Sequence, residues 1–268
     1  MSIRFDDQVA IVTGAGGGLG KEHALGLARR GAKVVVNDLG GGVDGSGASD
    51  AANAVVDQII SEGGEAIANG ASVTDLEAVQ AMVNEAKEKW GRIDILVNNA
   101  GFGILGDHLD MQLGRQLEMI ELNIHALTRL SHVFGNLMVK KGKGGIMNVA
   151  SIASYISGPS FAVYCATKAY VLSYSRALHK ELKNKGVTVT ALCPGYVTTG
   201  FQEVAGMELS KMEKLTAVPV KKVAEIAVKS MHKGKREVMP GIVNKPLPLV
   251  TKITPMWLHL IIVKWVLK

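Results

Sequence analysis

Short apolar runs alternate with longer stretches of helical periodicity through nearly all of these 268 residues, which leaves few architectures open. Strands are expected at Val9–Thr13, Lys33–Asn37, Glu65–Ala68, Ile93–Asn98, Gly145–Val149 and Thr188–Cys193, with a weaker seventh at Arg236–Met239. Helical patterns lie between them, at about Leu19–Arg30, Ala48–Glu62, Asp75–Trp90, Met111–Met138, Phe161–Lys185 and Pro219–His232. Thr74-x-x-Glu77 reads as a capping box opening the third helix, and Gly31 and Gly186 sit where helices should stop. Such alternation predicts an α/β fold: a doubly wound parallel sheet of about seven strands with helices on both faces. With no repeat, low-complexity tract or linker, a single domain over residues 1–268 is the economical expectation.

The chain is long enough to bury a large core, and 47% hydrophobic residues with 31 glycines suit an enzyme rich in strand-to-helix turns. Two cysteines, Cys165 and Cys193, build no disulfide framework, so a reducing, cytoplasmic setting is expected. The polar start, Met1-Ser-Ile-Arg-Phe-Asp-Asp, does not read as a signal peptide, and no apolar run reaches the ~18 residues of a membrane span. The net charge of +6 is uneven: residues 201–268 carry +7 and residues 1–200 carry −1. A basic C-terminal quarter suits either a solvated face or the steering of an anionic partner. Basic residues not interleaved with a stacking platform argue against nucleic acid. The His, Asp and Glu residues form no convincing metal-ligand cluster; His23, His108, His125, His132 and His179 read as surface or packing residues.

Thr13-Gly14-Ala15-Gly16-Gly17-Gly18-Leu19-Gly20 follows the first strand and opens the first helix. Glycines there let backbone N–H groups approach a pyrophosphate, and the helix N-terminus adds partial positive charge. The second strand ends at Asp38, eighteen residues past Gly20. A carboxylate there accepts hydrogen bonds from both ribose hydroxyls and repels a 2′-phosphate. No Arg or Lys lies between Lys33 and Asp38 or in the glycine-rich loop to Gly47, so NAD is the expected cofactor.

Tyr164 and Lys168 are four residues apart on the fifth predicted helix and share a face. A free tyrosine titrates near pH 10, roughly three units too high for proton transfer at neutral pH. A neighbouring ammonium favours the phenolate. Ser151 stands thirteen residues upstream of Tyr164, just past an apolar strand.

With the glycine cluster, Asn98-Asn99-Ala100-Gly101, Asn123, Ser151 and Tyr164/Lys168 in order, the chain from about Gln8 to Thr199 resembles the short-chain dehydrogenase/reductase family, whose fold is the Rossmann fold. Its first hundred residues look like the dehydrogenase part of multifunctional β-oxidation enzymes, notably Val-Val-Val-Asn-Asp-Leu-Gly at 34–40. From Gly144 onward it is more similar to the branch of hydroxysteroid dehydrogenases and 3-ketoacyl reductases. The resemblance implies that Ser151 hydrogen-bonds the substrate oxygen, Tyr164 exchanges its proton, and Lys168 tunes the tyrosine and holds the nicotinamide ribose. It implies that Asn123 anchors a proton-relaying water. Cofactor contacts are implied for Gly14, Gly17, Gly18, Leu19, Gly20, Asp38, Leu39, Asn99, Ala100 and Gly101. Tyr164, Lys168 and the segment with Pro194, Gly195, Val197 and Thr199 complete that set. Ser72-Val73 stands where many members carry Asp-Val, which weakens the adenine contact expected there.

Phe201, Val204, Met207, Leu209, Met212 and Leu215 suggest a substrate lid over about 200–216, suited to an apolar, lipid-like small molecule or equally to core packing. The apolar tail at about 254–268 leaves three readings open: packing between subunits, covering the pocket, or lying peripherally on a membrane with Trp257 and Trp265 at the interface. The long fourth and fifth helices resemble those that pair family members as homodimers or homotetramers. The expected function is NAD-dependent interconversion of a secondary alcohol and a ketone, on a hydroxysteroid or a 3-hydroxyacyl thioester. A non-catalytic NAD-binding scaffold or redox sensor is the alternative.

Overall fold

The computed structural model describes residues 3–40, 50–197, 205 and 217–266. Seven strands form one sheet in the order β3-β2-β1-β4-β5-β6-β7. They are β1 Val9–Thr13, β2 Lys33–Asn37, β3 Glu65–Asn69, β4 Ile95–Asn98, β5 Gly144–Val149, β6 Val187–Leu192 and β7 Glu237–Val238. Every pairing is parallel. The described helices are α1 Gly18–Ala28, α2 Ala51–Ser61, α3 Leu76–Trp90, α4 Leu113–Ile120, α5 Leu127–Lys141, α6 Ala162–Lys183, α7 Val220–His232, α8 Leu247–Ile253 and α9 Met256–Val266.

The strands are apolar on both faces because both faces are covered. Ala10, Val12, Val34, Val36, Ile95 and Val97 pack with Leu25 and Leu27 of α1, Val55 and Ile59 of α2, and Val228 of α7. The alternate residues Ile11, Val35, Leu96 and Ile146 pack on the other side with Met82 of α3 and with Leu130, Phe134 and Met138 of α5. Chain order reverses between β1 and its two neighbours, β2 and β4. At such a switch point the loops after adjacent strands turn to opposite faces and leave a crevice at the C-terminal sheet edge.

Three local departures from the sequence expectation stand out. First, β4 begins at Ile95, because the Asp94 side chain organises the chain before it: Oδ2 accepts from Val9 N at 2.9 Å and from Arg92 Nε at 2.8 Å. Second, the cap of α3 is Asp75, whose Oδ1 accepts from the amides of Glu77 at 2.9 Å and Ala78 at 3.2 Å. Thr74, expected to be that cap, instead pairs its hydroxyl with Ser72 Oγ at 2.8 Å. Third, the single helix expected over Met111–Met138 is α4 and α5 joined by a π turn, Glu121–Ala126. The apolar tail expected at about 254–268 is helical over its described part, as α9, and the short α8 precedes it.

Candidate active site

The loops after β1 and β4 meet at the switch point and are stapled by side chains. Thr13 Oγ1 donates to Val97 O at 3.3 Å and accepts from the amides of Asn99 and Ala100, each at 3.1 Å. Asn99 Nδ2 donates back to Thr13 O at 3.1 Å and Gly14 O at 2.9 Å. The turn this holds admits only glycine at two places. Gly14 has φ +60° with Ala100 Cα 2.9 Å from where a Cβ would stand, and a Cβ on Gly20 would lie 2.0 Å from Gly14 O. Gly17 is the N-cap of α1, contributes no side-chain cap, and is followed by no acidic residue in the first turn. The helix therefore presents first-turn amides with no side-chain cap and no acidic residue of its own, which fits a pyrophosphate. Space beside Gly17 is open: a Cβ there would meet nothing within 4 Å.

Asp38 borders this turn, its Oδ2 accepting from Gly16 N at 2.8 Å and its Oδ1 from Gly40 N at 3.0 Å. Its carboxylate thus fixes a negative charge beside the glycine loop. Leu39 next to it is exposed, Val73 is buried, and Ser72 is tied to Thr74. Asn37, to which the sequence reading gave no role, is buried and spans to the β3 end, donating to Asn69 Oδ1 at 3.1 Å and Ala71 O at 2.9 Å.

The second half of the crevice is built by β5 and α6. Ser151, just past β5, caps a 3-10 turn over Ile152–Tyr155, accepting from Ala153 N at 3.1 Å. It lies near enough to Tyr164 to favour the phenolate, so Ser151 and Tyr164 do converge. Lys168 lies one helical turn along, with Nζ donating to Val149 O at 2.9 Å and standing 5.7 Å from the Tyr164 ring centre. Phe161 stacks on the Tyr164 ring, centres 4.4 Å apart. Around the phenol stand Phe102, Met119, Ala153 and Cys165, with Leu105 and Ile156 at the margin.

Burial governs the charges here. It pushes the Tyr164 phenol above its ordinary value, against the opposing pull of the nearby Ser151 hydroxyl. It draws the Lys168 ammonium down to about 8. The expected lowering of the phenol by Lys168 is therefore not found in this arrangement, where the ammonium is committed to Val149 O and desolvation outweighs it. Burial likewise raises the thiols of Cys165, to about 11, and Cys193, to about 12, which keeps them protonated packing residues.

Asn123 sits in the π turn and clamps the loop after β4: Oδ1 accepts from Phe102 N at 3.2 Å and Nδ2 donates to Phe102 O at 2.9 Å and Thr167 Oγ1 at 3.1 Å. Gly101 passes between Asn123 and Lys168; a Cβ on it would stand 2.7 Å from Asn123 Oδ1 and 3.6 Å from Lys168 Nζ. Asn98 anchors the sheet centre, donating to Asn148 Oδ1 at 2.8 Å and Ser131 Oγ at 3.1 Å. Pro194 O accepts from Ile152 N at 2.9 Å, holding the Pro194–Val197 segment against the Ser151 turn. Thr199 and the expected lid lie outside the described residues, except Ala205, whose carbonyl accepts from Leu105 N at 2.9 Å.

Besides Asn37, four contributors went unassigned in the sequence. Thr13 and Thr167 lie inside motifs already singled out, so their position was the available signal. Phe102 and Asn244 had none: the Phe102 backbone meets Asn123, and Asn244 packs where a Gly195 Cβ would be, 2.3 Å from its Nδ2. Among the described residues no group of three His, Cys, Asp or Glu side chains could hold a metal ion.

Similarity to known proteins runs over most of the chain. Residues 8–210 match the family model described as short chain dehydrogenase. A 3-oxoacyl-[acyl-carrier-protein] reductase of Synechocystis is 41% identical over 73% of this chain and 76% of its own length. A 7α-hydroxysteroid dehydrogenase, solved with NADH and 7-oxo glycochenodeoxycholic acid, superimposes with a TM-score of 0.78 at 29% identity, over 88% of this chain and 93% of that one. A short-chain dehydrogenase/reductase from Burkholderia phymatum, solved with NAD, gives a TM-score of 0.79 at 26% identity over 93% of both chains. The chain belongs to the short-chain dehydrogenase family and is an oxidoreductase of the nicotinamide-dependent kind.

Proposed function

We propose that the chain is an NAD-dependent enzyme interconverting a secondary alcohol and a ketone on an apolar, lipid-like molecule, either a hydroxysteroid or a 3-hydroxyacyl thioester. The observation that carries this reading is the convergence of Ser151, Tyr164 and Lys168 inside an apolar wall of Phe102, Ala153 and Phe161. Two similar proteins point the same way: one is named for a 3-oxoacyl substrate, the other was solved with a 7-oxo bile acid.

The uncapped α1 terminus with Gly14, Gly17, Gly18, Leu19 and Gly20 would hold the pyrophosphate. Asp38 and Leu39 would take the adenosine ribose, with Ser72 and Val73 toward the adenine. Asn99, Ala100 and Gly101 would line the far wall, and Pro194, Gly195, Val197 and Thr199 would take the nicotinamide end. The bound nicotinamide supplies the hydride chemistry, and the protein supplies orientation and proton handling. Tyr164 gives a proton to the ketone oxygen, or takes one from the alcohol. Ser151 donates to the same oxygen and steadies its charge in both directions. Lys168, held beside the phenol, lowers the cost of the phenolate once its ammonium faces the oxygen instead of Val149 O. Asn123 keeps the Phe102 loop and Thr167 in register with these groups, and its π turn would anchor the proton-relaying water. The buried free thiols suit a reducing, cytoplasmic compartment, and α4, α5 and α6 would pair subunits in a homodimer or homotetramer.

A panel of steroids and acyl thioesters, read by NADH absorbance, tests the substrate class. Tyr164→Phe tests the mechanism: loss of general acid catalysis should cut kcat by about 100- to 10,000-fold while NADH binding, read by fluorescence, survives. Turnover at the parental rate in that variant would overturn this mechanism, whereas a parent that binds NADH and turns over nothing in the panel would favour the scaffold reading.

A further inference from the structure

The last part of the chain has a chemistry unlike the rest. From Val238 to Lys268 the sequence contains no Asp or Glu, but it contains Lys245, Lys252, Lys264 and Lys268. In the same stretch Ile242, Leu249, Ile253, Trp257, Ile261 and Trp265 are all exposed. The placement of α9 explains why. Its buried residues are His259 and Val263, and His259 Nε2 accepts from Ser157 N at 3.3 Å, which moors the helix beside the Ser151 turn. At 3.6 residues per turn, Trp257, Ile261 and Trp265 fall on the opposite face, 66%, 60% and 73% exposed, with Lys264 beside them. The helix is held by a narrow edge and turns a broad apolar face outward.

We propose that α8 and α9 dock the protein peripherally on an anionic lipid surface, with Trp257, Ile261 and Trp265 entering the headgroup boundary and Lys252 and Lys264 meeting the lipid charge. Two observations select this occupant over a second copy of the chain. Tryptophan with apolar residues and flanking lysine is the composition that lies in a bilayer interface. A two-fold contact through this face would also set a purely cationic segment against itself, with no carboxylate within the segment to answer it. No described helix is long and apolar enough to cross a membrane, so the contact is superficial. It would place the Ser151 turn, moored to α9 through Ser157 and His259, near the lipid phase that holds apolar substrates.

The test is flotation of the full chain with vesicles of phosphatidylcholine alone or with about one-third phosphatidylglycerol, combined with tryptophan emission. Two of the three tryptophans lie on α9, so insertion should shift the emission to the blue. The expected result is flotation with the anionic vesicles only, weakened severalfold by about 0.5 M salt through screening. Ile261→Ser with Trp265→Ser should abolish flotation, and Lys252→Glu with Lys264→Glu should do so by charge alone. Far-UV circular dichroism and NADH binding confirm that each variant stays folded. Failure of the folded parent to float overturns the proposal. Concentration-dependent self-association that the same substitutions abolish overturns it in favour of an interface between copies.

Discussion

At the scale of single residues, Asp38 illustrates one side chain with two functions. Its carboxylate bonds the amides of Gly16 and Gly40, so it shapes the cofactor loop as well as charging it. These can be separated. Asp38→Asn keeps one oxygen to accept from one loop amide, turns an NH2 toward the other and removes the negative charge, whereas Asp38→Ala removes both bonds and the charge. Charge repulsion against a 2′-phosphate predicts that the parent prefers NAD to NADP by more than about tenfold in kcat/KM, equivalent to ~1.4 kcal/mol. Asn should narrow that preference with modest loss toward NAD, and Ala should weaken both cofactors. Steady-state kinetics with each cofactor decides the matter, and a parent that prefers NADP overturns this role for Asp38. Asp38 was visible in the sequence as an acid at the end of a strand. Its bonds to the loop were not, because they depend on where the Gly16 and Gly40 backbone folds.

At the scale of elements, the strands and crossover helices were legible because burial on both faces writes itself into the sequence as continuous apolar runs. The π turn was not. It inserts one residue into a helix whose apolar period continues on either side, so Met111–Met138 read as unbroken. What singles out that turn is a tertiary contact, Asn123 against the Phe102 backbone twenty-one positions away. Asn123→Ala would leave the buried Phe102 amide and carbonyl without these partners, at a cost of about 1–3 kcal/mol for each group left unsatisfied. The variant should unfold several degrees lower by circular dichroism. It should also lose more kcat than KM, because the Phe102–Thr167 register beside Tyr164 loosens. Asn123→Asp is the control that separates these effects: it keeps the acceptor toward Phe102 N and loses both donated bonds. An alanine variant with parental Tm and kcat would remove Asn123 from the site.

At the scale of the whole molecule, the sheet and its helices were legible in the sequence, whereas a C-terminal tail covering the pocket was only one of three open readings and its contacts were hidden. Asn244 against Gly195 and His259 against Ser157 join positions far apart in the chain, and no local pattern encodes them. The same limit hid the state of His23, which reads simply as a packing residue. The structure buries it completely in α1 with no hydrogen-bond partner among the described residues for either ring nitrogen, and burial holds its pKa down at about 3. In the unfolded chain the ring titrates near 6.5. Above that pH both states are neutral and the group adds no pH dependence. As the pH falls through 6.5 the unfolded state takes up a proton that the folded state refuses, so stability is lost progressively down to about pH 3. The slope from this group alone approaches 1.4 kcal/mol per pH unit, about one proton's worth. His23→Leu, an apolar side chain of similar size, should remove that slope and leave the contribution of the carboxylates. Urea unfolding of parent and variant at pH 7, 6 and 5 measures the difference directly. Stability curves that diverge by one proton below pH 6.5 confirm a neutral, unpartnered histidine in the folded core, and parallel curves show that the ring is protonated in the native state.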